Sequence, residues 1–121
     1  MPRRILIADD DASVLKLCGR CLSMNNYEVT SCANLAEAAR QINTGDFQIL
    51  LTDFSLGDGY GTELIALIKN KNPSAKTLLM TGDEILAGTR GPGPYYADAE
   101  TLIKPFDMNR LLAELDGFDK A

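Results

Sequence analysis

Apolar residues along this chain come in short blocks, separated by stretches with helical periodicity. Ile5-Leu6-Ile7-Ala8, Phe47-Gln48-Ile49-Leu50-Leu51-Thr52, Thr77-Leu78-Leu79-Met80 and Leu102-Ile103 read as buried strand runs. With a β-like run after Asn26, they predict strands near 3–8, 27–32, 47–52, 76–81 and 100–103. Helices are predicted near 12–25, 34–44, 61–70 and 107–117. Val14, Leu15, Leu17, Cys18, Cys21 and Leu22 form one apolar face at helical spacing, and Leu64, Ile65, Leu67 and Ile68 form another. Ser13 and Asn34 can accept helix-start hydrogen bonds, and Gly45 can end the second helix in a left-handed turn. A further helix should fill much of 83–99, but Gly88, Gly91, Pro92, Gly93 and Pro94 crowd its middle. Glycine and proline are the worst residues for a helix interior, so only a short helix near 83–88 is expected, then a loop with a turn around Tyr95 and Tyr96. Strands alternating with helices imply a parallel sheet covered on both faces.

The length of 121 residues and the apolar fraction of 45% suit one domain with one core, without repeat or linker. No apolar stretch reaches membrane-spanning length, and no basic-then-apolar leader opens the chain, so no membrane and a cytoplasmic location are expected. A net charge of −5 argues against nucleic acid as partner, because phosphate contacts need clustered Lys and Arg. The chain has no histidine, which excludes a phosphohistidine, a Ser-His-Asp triad and a His-ligated metal. Three cysteines cannot all pair within one molecule and are read as free thiols. Cys18-Gly19-Arg20-Cys21 is formally a CxxC, but it lies inside a predicted helix rather than at its start. Burial is therefore expected there, not redox chemistry.

The candidate chemistry lies where the strand runs end. The first ends in Asp9-Asp10-Asp11, the third in Asp53, the next in Thr81 and the last in Lys104-Pro105. In an open parallel sheet, ligands bind outside the carboxyl ends of the strands. Parallel neighbours would bring these acids, the hydroxyl and the ammonium to one rim, a set suited to metal-assisted phosphoryl chemistry on a carboxylate. Asp53 is the expected nucleophile. Gly57, Gly59 and Gly61 allow a tight turn after its strand. A phosphoryl group arriving among carboxylates needs a hard, oxygen-seeking cation such as Mg²⁺ (or Mn²⁺) to offset repulsion.

These marks, together with Leu51-Thr52-Asp53, Leu56-Gly57-Asp58-Gly59-Tyr60-Gly61, Met80-Thr81-Gly82 and Ile103-Lys104-Pro105-Phe106, resemble the receiver (phosphoacceptor) domain of two-component response regulators. The resemblance covers nearly all of 3–117. It implies a flavodoxin-like (βα)5 fold with strand order 2-1-3-4-5. It implies phosphorylation of Asp53 by a sensor histidine kinase or phosphotransfer protein. The metal would be ligated by Asp10, Asp53 and the backbone carbonyl of Ser55, with Asp9 acting through a water. Lys104 would pair with a phosphoryl oxygen. The Thr81 hydroxyl would move onto the phosphoryl group and turn modification into a shape change. The Lys104-Pro105 bond would be cis, as Pro105 permits. Ser55 and Asp83 would flank the path of the water that hydrolyses the acyl phosphate. Such a domain is not an enzyme beyond catalysing its own phosphorylation and dephosphorylation, and it signals to a downstream protein target by contact.

The chain departs from that pattern in three ways. Thr101 occupies the position three before Lys104, where an aromatic switch residue is common. The glycines and prolines interrupt the helix that normally meets targets. The chain ends soon after the last predicted helix, so 1–121 is expected to be a single receiver domain with no output domain. A phosphorelay intermediate or phosphate sink is the nearest alternative. A receiver that binds partners without phosphorylation is disfavoured by the presence of Asp10, Asp53 and Lys104. A different class, a haloacid-dehalogenase-type phosphatase, can be parsed from Asp9-Asp10-Asp11-Ala12-Ser13 as DxDxS. It leaves Asp53 and its glycine-rich turn unexplained and lacks the later acidic pair. Asp11 is otherwise read as a solvated acid or a helix-start residue.

Overall fold

The computed structural model describes residues 3–82 and 100–119. In chain order the elements are β1 (Arg3–Ala8), α1 (Ala12–Met24), β2 (Tyr27–Cys32), α2 (Leu35–Thr44), β3 (Ile49–Asp53), α3 (Gly61–Lys71), β4 (Lys76–Thr81), β5 (Glu100–Ile103) and α4 (Met108–Asp119). The expected short helix near 83–88, the loop after it, and Tyr95 and Tyr96 fall outside the described residues.

All neighbouring strands pair in parallel, in the order β2-β1-β3-β4-β5, which places β3 at the centre. Successive side chains of a strand point to opposite faces, and the apolar runs use both. Leu6, Ala8, Leu50 and Leu79 face one layer, with Leu64, Ile65 and Ile68 of α3 and Ala38 and Ile42 of α2. Ile5, Ile7, Ile49, Leu51, Leu78 and Met80 face the other, with Cys18 and Leu22 of α1 and Leu111 and Leu115 of α4. This is the flavodoxin-like arrangement expected.

Helix starts follow local hydrogen-bond supply. Asp11, not Ser13, caps α1. Its carboxylate accepts from the Ser13 amide at 2.9 Å. A carboxylate at the cap also meets the positive end of the helix, so Asp11 outcompetes the hydroxyl two residues on. Asn34 caps α2 as expected, accepting from Glu37 N at 2.8 Å. Glu63 reaches back to the Tyr60 amide at 2.9 Å at the start of α3. Asp107 accepts from Arg110 N at 2.8 Å before α4.

Gly45 does close α2, donating to the Gln41 carbonyl at 2.8 Å, but with φ −109° it is extended rather than left-handed. The Lys71 ammonium donates to the Ile42 and Asn43 carbonyls at 2.9 and 3.2 Å and to that of Gly45 at 2.5 Å. These bonds satisfy carbonyls that a left-handed cap would otherwise serve. Leu17, assigned to the apolar face of α1, is 57% exposed. The third strand begins at Ile49, two residues later than the apolar run suggests. Phe47 is buried outside the strand, with the Arg4 guanidinium 4.8 Å from its ring centre.

Candidate functional site

The rim at the carboxyl end of the sheet is built by register. β1 and β3 are direct neighbours, with Ala8 opposite Thr52, so the residues that follow, Asp9 and Asp53, emerge side by side. β4 pairs Met80 with Asp53, and β5 pairs Ile103 with Thr81, which brings Lys104 to the same rim. The Lys104 amide donates to the Thr81 carbonyl at 2.8 Å and extends that pairing by one residue.

Carboxylate oxygens of Asp9, Asp10 and Asp53 lie within 4.8 Å of one another. Asp9 is fully buried, Asp53 half-buried and Asp10 exposed. The Lys104 ammonium donates to Asp9 Oδ2 at 2.8 Å and lies 3.4 Å from Asp53 Oδ1. Asp9 Oδ1 accepts from the Asp11 amide at 2.9 Å, and Asp53 Oδ1 accepts from Phe54 N at 2.9 Å. A buried charge needs such partners. Asp9 has two.

Burial, and next the Asp9 charge, push the Asp53 carboxyl above the ordinary carboxylate range, against the opposing pull of Lys104. Burial alone would lower the Lys104 ammonium, but its hydrogen bond to Asp9 and the charges of Asp9 and Asp53 outweigh that and leave it raised. Among the described residues the site thus holds three carboxylates against one ammonium. All its donors are oxygens, so the set fits a hard divalent cation rather than a thiophilic one.

Thr81 is buried, at the end of β4. Ser55 is exposed and forms an antiparallel bridge with Tyr60 across the β3–α3 loop. Gly57 has φ +83°, the left-handed region where a side chain is strained. At Gly59 a Cβ would overlap the Leu35 side chain, so the turn needs that glycine for close approach. The Lys104-Pro105 peptide is cis. Thr101 is half-buried on β5, and Asp83 lies outside the described residues. The cysteines are free. Cys18 and Cys32 are buried and their thiols are raised to about 11, chiefly by burial. Cys21 is partly buried, and the CxxC lies within α1 rather than at its start, as the sequence suggests.

Sequence reasoning missed two residues that hold α2 in place. Asp58 bonds its first amides on the rim side, and Lys71 bonds its last carbonyls at the opposite end of the sheet. Neither partner is local in sequence. The acid within the glycine-rich turn was the only available signal.

The parallel sheet with this acidic rim and a cross-rim lysine defines a phosphoacceptor domain. The response regulator receiver domain model matches residues 5–116, and the chain belongs to that family. It is 30% identical over 115 residues to the response regulator receiver protein CpdR of Brucella abortus, covering 94% of each chain. It is 32% identical over 113 residues to the transcriptional regulator NtrC of Rhizobium meliloti, covering 89% of this chain but 22% of that one. It thus spans about a fifth of the NtrC protein's length. Among solved structures, a CheY-like receiver domain protein from Methanospirillum hungatei superposes with TM-score 0.82 at 26% identity, covering 99% of this chain and 96% of that one. The chain is a phosphoacceptor signalling switch of two-component systems, and the phosphatase parse is not favoured. Asp11, which that parse needs, is engaged in capping α1, and its neighbour Asp9 is fully buried. Among the described residues no helix is long and apolar enough to cross a membrane.

Proposed function

We propose that Asp53 is the phosphoacceptor. A carboxylate oxygen of Asp53 attacks phosphorus. In transfer from a histidine kinase or phosphotransfer protein, the new O–P bond forms as the P–N bond to the donor imidazole breaks, and the imidazole leaves with the electron pair. The observation that carries this reading is the clustering of Asp53 with Asp9 and Asp10 within 4.8 Å, with Lys104 set between two of them. Asp10, Asp53 and the Ser55 carbonyl would hold Mg²⁺ (or Mn²⁺) directly, and Asp9 would hold it through a water. When bound, the cation offsets the charge of carboxylates and phosphoryl oxygens.

Lys104 now pairs with both Asp9 and Asp53, and would exchange Asp53 for a phosphoryl oxygen. The Thr81 hydroxyl accepts the switch role by donating to the same group. Thr101 offers no ring to follow it, so the shape change concentrates at the end of β4. By the resemblance, Ser55 and Asp83 are the two positions that would tune hydrolysis, and filling them should lengthen the acyl-phosphate lifetime. The domain catalyses only its own phosphorylation and dephosphorylation. It acts in the cytoplasm through protein contacts, with neither nucleic acid nor membrane as partner of this domain.

Incubation with acetyl phosphate and Mg²⁺ tests this. One alkali-labile phosphoryl mass is expected, absent from Asp53→Asn. Stoichiometric phosphate retained by that variant would refute the assignment.

A further inference from the structure

The first amides of a helix have no partner within it. In α2, Asn34 serves Glu37 N, but the Leu35 and Ala36 amides are served from far along the chain. Asp58 Oδ1 accepts from Leu35 N at 2.8 Å, and its Oδ2 accepts from Ala36 N at 3.1 Å. One carboxylate thus straddles the positive end of the helix from 23 and 22 residues downstream. These bonds, that of Leu35 first, hold the Asp58 carboxyl below its ordinary range although it is exposed.

A second contact sits beside the first. Gly59 packs so closely on Leu35 that a Cβ would overlap it. The rest of the loop is stiff. Leu56 N donates to the Gly59 carbonyl at 2.9 Å, Ser55 bridges Tyr60, and the Leu56 side chain is buried. At its start, Phe54 N donates to the Met80 carbonyl at 2.9 Å. Between these anchors, a Cβ on Gly57 would stand 4.0 Å from Asp10 Oδ2. The loop that carries Ser55 is therefore tied to β4 where it leaves β3 and to α2 at its tip.

We infer that Asp58 is a positioning residue for the phosphoacceptor site. By seating the loop tip on the start of α2, it holds the Ser55 carbonyl in place for the cation that Asp10 and Asp53 bind. The inference rests on the reading of Ser55 as a metal ligand.

Asn34 supplies the control, because its side chain caps the same turn by accepting from Glu37 N within the helix itself. Asp58→Ala and Asn34→Ala should lower melting temperature to a similar degree. Only Asp58→Ala should weaken Mg²⁺ binding, by about tenfold in titration calorimetry, as loss of a group supporting a ligand does. Asp58→Asn keeps one acceptor oxygen and should recover part of the affinity. It also serves if the alanine variant does not fold. In the metal-free proteins, amide exchange at Leu56 should accelerate in Asp58→Ala and not in Asn34→Ala. Equal Mg²⁺ affinity and equal Leu56 exchange in the two alanine variants would overturn the inference and leave Asp58 a helix cap. If Asp10→Asn also left Mg²⁺ affinity unchanged, the metal-site reading itself would fall. Loss on Asp10→Asn alone would leave that reading standing without Asp58.

Discussion

Strands β1 and β3 each contain two environments only a residue or two apart. Their interiors, Ile5 to Ala8 and Ile49 to Leu51, are apolar, fully buried and held by contact with both helix layers. At their ends Asp9 is equally buried but charged, and it is tolerated only because Lys104 and the Asp11 amide bond it. In the interior, removing a group leaves a void. At the rim, it leaves a charge without its partner or relieves one that was crowded. The interior therefore sets stability, and the rim spends some of it on electrostatics aimed at a ligand.

The largest effect should come from the interior. Leu50→Ala removes a fully buried side chain from the central strand and should cost about 2–5 kcal/mol in urea denaturation. Asp53 should still be phosphorylated wherever that variant is folded. Loss of phosphorylation in a folded Leu50→Ala would show that interior and rim are not separable.

Lys104→Ala comes next. It strands the buried Asp9 carboxylate, and with the lysine side chain 25% exposed the loss should be about 1–3 kcal/mol. Because a cation can replace the ammonium, Mg²⁺ should raise the melting temperature of this variant at least as much as that of the wild type. A smaller rise would contradict the rim account. Asp10→Asn is expected to do the reverse, costing little stability because Asp10 is exposed. It should weaken Mg²⁺ by more than the roughly tenfold expected for a supporting group. Equal affinities for Asp10→Asn and Lys104→Ala in calorimetry would refute the division of roles.

The smallest effect has the opposite sign. The Asp53 carboxyl is raised by burial and by Asp9, so the native state holds that proton more tightly than the unfolded chain does. Ionised Asp53 therefore costs stability above its native pKa, and that cost disappears as pH falls below the unfolded value. Metal-free Asp53→Asn should melt slightly higher than wild type at neutral pH, and the two should converge in acid. A lower melting temperature at neutral pH would mean that the bond to Lys104 outweighs the crowding.

Much of this was legible in the sequence because it is local. Apolar runs ending in Asp9, Asp53, Thr81 and Lys104 gave the strands and the rim, since a buried parallel strand must be apolar until it reaches solvent. Their arrangement side by side came from family resemblance, and the register bears it out. Contacts between distant segments were not legible. Asp58 at α2 and Lys71 on the α2 carbonyls each join groups more than 20 residues apart. Gly45 was misjudged for the same reason, because the lysine that satisfies those carbonyls comes from α3. Leu17 was assigned inward by spacing alone, yet the sheet beneath α1 is filled by Cys18 and Leu22. Ser13 lost the cap to Asp11, a competition that sequence leaves open when both types are favoured.

The central claim is that Asp53, not a neighbouring acid, takes the phosphoryl group. Borohydride reduction after treatment with acetyl phosphate and Mg²⁺ converts an aspartyl phosphate to homoserine and so marks its position. Peptide mass spectrometry should find homoserine at 53 alone in the wild type, and at no position in Asp53→Asn. Homoserine at Asp9 or Asp10 in the wild type would contradict the account.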